Sequence, residues 1–170
     1  CVLPGRVWWR YGASRGGITT VCGLAYAVIM SSLLLLSLGS SAVPAFLADR
    51  SEALSRPLRI GYVTDATRDY ADAPFVQQEF ERIAAYGHPL TRITLGELTP
   101  EQLPGALTGL DGVYVAGGNT FVLMDAMRRS GADLLLPDRV AVGLLYIGSS
   151  AGPIVAGPRL QPATARQSVR

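Results

Sequence analysis

Short apolar runs that break into turns of small residues recur along this chain, and that pairing limits its fold more than any other feature. Residues 33–38 (LLLLSL) run into Gly39, Ser40 and Ser41, and residues 58–64 (LRIGYVT) run into Asp65, Ala66 and Thr67. Residues 112–116 (GVYVA) meet Gly117-Gly118-Asn119-Thr120, and residues 143–147 (GLLYI) meet Gly148-Ser149-Ser150-Ala151-Gly152. A near-continuous apolar run bounded by glycines is how a strand buried on both faces reads. Helical spacing lies between the runs. Over residues 74–86, Phe75, Phe80, Ile83 and Ala84 recur near the helical period, and Gly87 is a natural stop. Phe121, Leu123, Met124 and Met127 give residues 121–129 an apolar face. Residues 99–102 (TPEQ) carry a helix start, with Thr as cap, Pro in the first turn and Gln closing a capping box. Residues 90–95 (LTRITL) alternate apolar and polar side chains, as a strand nearer a sheet edge does. The order is strand, strand, helix, strand, helix, strand, helix, strand. It predicts an α/β fold with a doubly wound, mostly parallel sheet and a site along the carboxyl edge of the strands.

The chain has 170 residues, enough for one ordinary domain. Apolar residues make up 49% and charged residues 16%, which excludes an intrinsically disordered chain. Three segments are expected: an irregular leader over residues 1–29, read as upstream sequence; an α/β domain over 30–158; and a polar tail over 159–170. From residue 16 to residue 48 there is no charged side chain. Residues 18–38 within this run are long enough to span a bilayer, with Arg6, Arg10 and Arg15 upstream and a passable cleavage site at Ser40-Ser41-Ala42. The sheet reading instead claims residues 33–38 as a buried strand. It places the protein in the cytoplasm, with export or anchoring through residues 18–38 as the alternative.

All 15 basic residues are Arg, a skew that codon bias explains more economically than phosphate binding. From residue 30 onward, 12 Arg face 13 acids, and so near-neutral a body has no footprint for nucleic acid. The only cysteines are Cys1 and Cys22. Nothing from residue 23 onward can therefore form a disulfide, a thiolate nucleophile or a Cys-ligated metal site. A single histidine, His88, excludes a zinc site built on His pairs, and no cofactor is expected.

Two segments carry chemistry. Gly148-Ser149-Ser150-Ala151-Gly152 is a G-x-S-x-G directly after an apolar strand. In a nucleophile elbow the serine occupies a tight strand-to-helix turn, and the following N–H groups face a developing oxyanion. A glycine-rich turn capping a helix is the plainer reading. Gly117-Gly118-Asn119-Thr120 allows close approach of backbone to a ligand and can form an anion-binding concavity. It reads equally as a loop with Asn or Thr as helix cap. It lacks the G-x-G-x-x-G spacing of a dinucleotide site.

Taken together, these segments resemble the peptidase E family, serine peptidases on a fold like that of class I glutamine amidotransferases. The matching text is GVYVAGGNTFVLMDAMRRSG at 112–131 and GLLYIGSSAGPIVAGP at 143–158. Weaker agreement covers 33–41 (LLLLSLGSS) and 60–67 (IGYVTDAT), so the resemblance spans residues 30–158. It implies that Ser150 is the nucleophile, that Gly118 and Ala151 offer backbone N–H groups to the oxyanion, and that Asn119 lines the pocket. The implied substrates are small peptides, typically dipeptides with an amino-terminal aspartate. The implied base is a histidine well downstream of the serine, with an acidic partner also downstream. Only 20 residues follow Ser150, and none is His, Asp or Glu. The chain is accordingly expected to be truncated at its carboxyl end, to lack the catalytic His and to show negligible activity alone. An uncovered sheet edge predicts self-association. His88 is expected to be a loop or surface residue. Asp65, Asp69 and Asp72 either line the site or complement a helix start, and Arg68 is the nearest candidate to hold an aspartyl side chain. The competing functions are a non-catalytic α/β module that binds a ligand or a partner, and an α/β-hydrolase-type esterase.

Overall fold

The computed structural model describes residues 27–157 apart from Ser31 and Leu38. Both cysteines, most of the leader and the polar tail lie outside the described residues. Six strands form one sheet: β1 (Ala27–Met30), β2 (Leu33–Leu36), β3 (Ile60–Val63), β4 (Leu90–Ile93), β5 (Gly112–Val115) and β6 (Leu145–Ser149). Their order across the sheet is β1-β2-β6-β5-β3-β4. The five strands from β2 to β4 run parallel, and β1 joins antiparallel at one edge. The strand β1 takes in Ala27, Val28 and Ile29, the last three residues of the segment expected to be irregular. The alternating segment becomes β4, the opposite edge.

Side-chain alternation along the strands divides the interior into two layers. Val63, Val113, Val115 and Tyr146 face one side, where they meet α3 (Leu103–Ala106), α4 (Thr120–Ser130), α5 (Ala132–Ala141) and α6 (Ala151–Ala156). Ile60, Tyr62, Tyr114 and Ile147 face the other, against Val43 and Leu47 of α1 (Val43–Leu54) and Ile83 of α2 (Pro74–Ala84). The connections explain this division. From β2 through α1 to β3, and from β3 through α2 to β4, the chain moves toward the β4 edge. From β4 to β5 and from β5 to β6 it returns. Crossovers between parallel strands share one hand, so outgoing helices cover one face and returning helices the other. The doubly wound, mostly parallel sheet is therefore present.

Several boundaries differ from the sequence pattern. Two helices, α1 and α5, had no periodic signal. Helix α1 buries only Val43 and Leu47, and α5 carries Pro137 in its interior. Gly131, at φ +75, ends α4 and begins α5 in a single residue. Strand β6 starts at Leu145 rather than 143 because Gly143, at φ +110, and Leu144 are held in a turn by Val140 and Arg139 carbonyls. At the TPEQ segment Gln102 Oε1 accepts from Thr99 N at 3.0 Å, and the helix proper begins only at Leu103. No helix among the described residues is long and apolar enough to cross a membrane.

Candidate functional site

The carboxyl ends of β6, β5 and β3 bring the two glycine-rich segments together. Ser150 sits between β6 and α6 with φ +49 and ψ −90. Among the described residues the only other non-glycine with positive φ is Ser55, which has ordinary left-handed geometry at the end of α1. Ser150 lies outside that region, and such a backbone persists only when its surroundings determine it. Here they do. Ser150 N donates to the Leu36 carbonyl at 2.9 Å, fastening the turn to β2. Tyr146, buried in β6, donates its hydroxyl to the Gly152 carbonyl at 2.9 Å, and burial pushes its pKa up so that the proton stays in place.

The flanking glycines are required by close approach. A Cβ on Gly148 would stand 2.8 Å from the Gly152 carbonyl carbon and 2.9 Å from Pro153 N. One on Gly152 would stand 3.1 Å from the Val115 carbonyl oxygen. Helix α6 thus passes too near β6 for a side chain on Gly148 and leaves one on Gly152 a tight fit against β5. Ser150 itself is exposed, and its hydroxyl makes no cap bond to α6. Ala151 is the first residue of α6, so its N–H has no acceptor within the helix.

The Gly117–Gly118 segment lies beside this turn. A Cβ on Gly117 would be 3.0 Å from Ser150 Cβ. Gly118 has φ +142, and a Cβ there would run into the Ala66 carbonyl oxygen. That oxygen accepts from Asn119 N at 2.7 Å and from the Tyr70 hydroxyl at 3.0 Å. The Asn119 side chain caps α4: Oδ1 accepts from Phe121 N at 3.0 Å and Val122 N at 3.3 Å. Its oxygen is occupied by the helix, and the plainer sequence reading of this residue is the one its contacts display.

The other residues singled out lie apart or serve the scaffold. Asp65 is buried, and its carboxylate accepts from Leu95 N and Gly96 N, each at 2.8 Å. It ties the 3-10 turn Asp65–Tyr70 to the turn Leu95–Glu97. Asp69 and Asp72 are exposed, and Arg68 pairs with Asp69 at 3.6 Å. His88 precedes β4 at the amino edge of the sheet, opposite Ser150. There its Nδ1 accepts from Leu58 N at 3.1 Å, and burial holds the imidazole below its ordinary pKa. It is a half-buried loop residue. The approach of Tyr70 to Gly118 had no signal in the sequence, because the two lie far apart along the chain.

Comparison with known proteins bears on the family and the fold. A profile described as Peptidase family S51 matches residues 33–169, most of the chain. An uncharacterized peptidase of Listeria monocytogenes is 43% identical over 67 residues, which is 39% of this chain and 30% of that protein. Peptidase E of Streptomyces coelicolor is 45% identical over 51 residues, 30% of this chain and 21% of its own length. Among solved structures, one named as a peptidase E protein from Listeria monocytogenes aligns with a TM-score of 0.55 and 26% identity. That alignment covers 71% of this chain and 58% of the other. The chain thus spans about a third or less of the curated relatives it matches. The profile match over most of its length nonetheless supports one assignment: this chain belongs to peptidase family S51.

Proposed function

We propose that the protein is a serine peptidase that hydrolyses small peptides such as Asp-X dipeptides, with Ser150 as nucleophile. The observation that carries the reading is Ser150 itself, exposed in a strained strand-to-helix turn with φ +49 and with Gly117 beside it. In this reading Ser150 Oγ attacks the scissile carbonyl carbon and gives up its proton to a base. The oxyanion lies between the N–H groups of Gly118 and Ala151, the C–N bond breaks and the amine leaves with the proton. Water, giving its proton to the base, then attacks the acyl ester, and the carboxylate leaves as Ser150 Oγ takes the proton back. Asn119 contributes to the pocket by fixing the start of α4. The preference for an amino-terminal aspartate rests on the resemblance to peptidase E.

His88 does not supply the base, since it stands at the opposite edge of the sheet, and the 170 residues contain no other histidine. The same observation favours a second reading, binding without hydrolysis. One assay separates the two. Full-length gene product is expected to release aspartate from Asp-X dipeptides, and Ser150→Ala to lower the rate at least about a thousandfold. A Ser150→Ala variant with undiminished rate would refute the assignment of the nucleophile, and binding of Asp-X without turnover would support the second reading.

A further inference from the structure

We propose that Tyr70 is a positioning residue that orients the Gly118 peptide and thereby the oxyanion side of the site; the inference rests on the peptidase reading. The Gly117–Gly118 segment runs between two neighbours. On one side a Cβ on Gly117 would stand 3.0 Å from Ser150 Cβ. On the other, a Cβ on Gly118 would meet the Ala66 carbonyl oxygen and come within 2.5 Å of the Tyr70 hydroxyl. The tyrosine tip therefore occupies the space that a side chain on Gly118 would need. Gly118 has φ +142, a backbone region open to glycine and closed to most residues. Glycine makes that conformation accessible but does not hold it. The orientation of the N–H must come from outside.

The outside contacts converge on one atom. Ala66 O accepts from Asn119 N at 2.7 Å, which sets the peptide following Gly118, and φ +142 at Gly118 relates that setting to its own N–H on the preceding peptide. The Tyr70 hydroxyl donates to the same oxygen at 3.0 Å and closes the far side of Gly118. Behind it, the Tyr70 ring leans on Phe75 at 5.6 Å between centroids. The segment bearing Ala66 and Tyr70 is itself fastened. Asp65 accepts two backbone N–H groups from Leu95 and Gly96, and the Thr67 hydroxyl donates to Thr64 O at 2.8 Å. A line of braces thus reaches from the β4 turn through Asp65, Ala66 and Tyr70 to Gly118, and through Gly117 to Ser150.

Loss of the hydroxyl separates positioning from scaffolding. Ala66 O keeps its bond from Asn119 N when the Tyr70 hydroxyl is gone, so no buried acceptor is orphaned. A hydroxyl with only a scaffold role would be nearly silent in Tyr70→Phe. A donor displaced from the developing charge costs rate steeply.

The experiment uses Tyr70→Phe in full-length gene product. Hydrolysis of an Asp-X dipeptide is expected to lose about tenfold in kcat, with KM within about twofold and the thermal midpoint unchanged. Affinity for a dipeptide phosphonate, whose tetrahedral anion mimics the oxyanion, is expected to weaken by about the same factor. Affinity of Asp-X for Ser150→Ala is expected to be the same with and without Tyr70→Phe. Unchanged kcat and phosphonate affinity overturn the proposal, as does a loss that tracks a lowered thermal midpoint. A Ser150→Ala variant as fast as the parent overturns the peptidase reading instead. An inactive Ser150→Ala beside an unimpaired Tyr70→Phe leaves that reading standing and removes only the role of Tyr70.

Discussion

Gly148, Ser150 and Gly152 form a turn in which each residue type has a separate physical cause. The serine bears the strain and the glycines let α6 cross the sheet within backbone contact. Gly148→Ala would press a methyl group against the Gly152 and Pro153 backbone, atoms that cannot rotate away. Helix α6 would have to lift, at a cost of about 1–3 kcal/mol. Gly105 provides the contrast, since it lies in α3 with open space where a Cβ would go. Gly105→Ala is expected to stabilise by about 0.5–1 kcal/mol through the entropy of the unfolded chain. Urea unfolding of the two variants should show midpoints shifted in opposite directions. The small residues of the motif were legible in the sequence, because a strand followed by G-x-S-x-G is a local pattern. The contact of Gly117 with Ser150, and of Tyr70 with Gly118, was not.

At the scale of elements, one side chain joins two short turns at the carboxyl edge. Asp65 joins the 3-10 turn after β3 to the one after β4 through two charge-assisted bonds to backbone N–H groups. Asp65→Ala leaves Leu95 N and Gly96 N without that acceptor and should cost about 2–3 kcal/mol, read from chemical unfolding. A cost within error of zero would show that the two turns stand independently. Sequence pattern placed Asp65 at a strand end but could not decide between a ligand-lining acid and a scaffold acid, because its partners are 30 and 31 residues away. The same limit applies to helices. Helices α2 and α4 were visible through their apolar residues, but Phe75 and Phe121, expected on the apolar faces, stand exposed, and Val76 and Ala126 are buried instead. Helix α5 was hidden by Pro137, and α1 by a face that buries little.

For the whole molecule, the two edges of the sheet have different tasks. The carboxyl edge gathers Ser150, Gly117 and Gly118, while the amino edge holds the single histidine. There His88 Nδ1 accepts a bond from Leu58 N, and burial lowers the imidazole pKa from its ordinary 6.5. The unfolded chain therefore takes up this proton before the folded one does. The contribution of His88 to stability is complete above about pH 6.5 and is lost as pH falls through that value toward the folded pKa. Thermal midpoints measured from about pH 7 to about pH 5 should fall less in His88→Gln than in the parent. Equal slopes would remove His88 as the cause.

The alternation of apolar runs with small-residue turns determined the α/β class, the parallel sheet, its edge strand β4 and the position of the G-x-S-x-G turn. These follow from chemistry within a few residues: burial on two faces demands apolar runs, and sharp turns demand glycine. Tertiary structure alone decided that β1 joins the sheet, that the β6 turn hangs from Leu36 O, and that Gly117 and Gly118 run between Ser150 and Tyr70. It also decided that Asp65 braces the scaffold and that His88 stands at the wrong edge to serve Ser150. Each of those outcomes depends on neighbours brought close by strand order, and strand order arises from the hand and direction of crossovers rather than from any local run of residues.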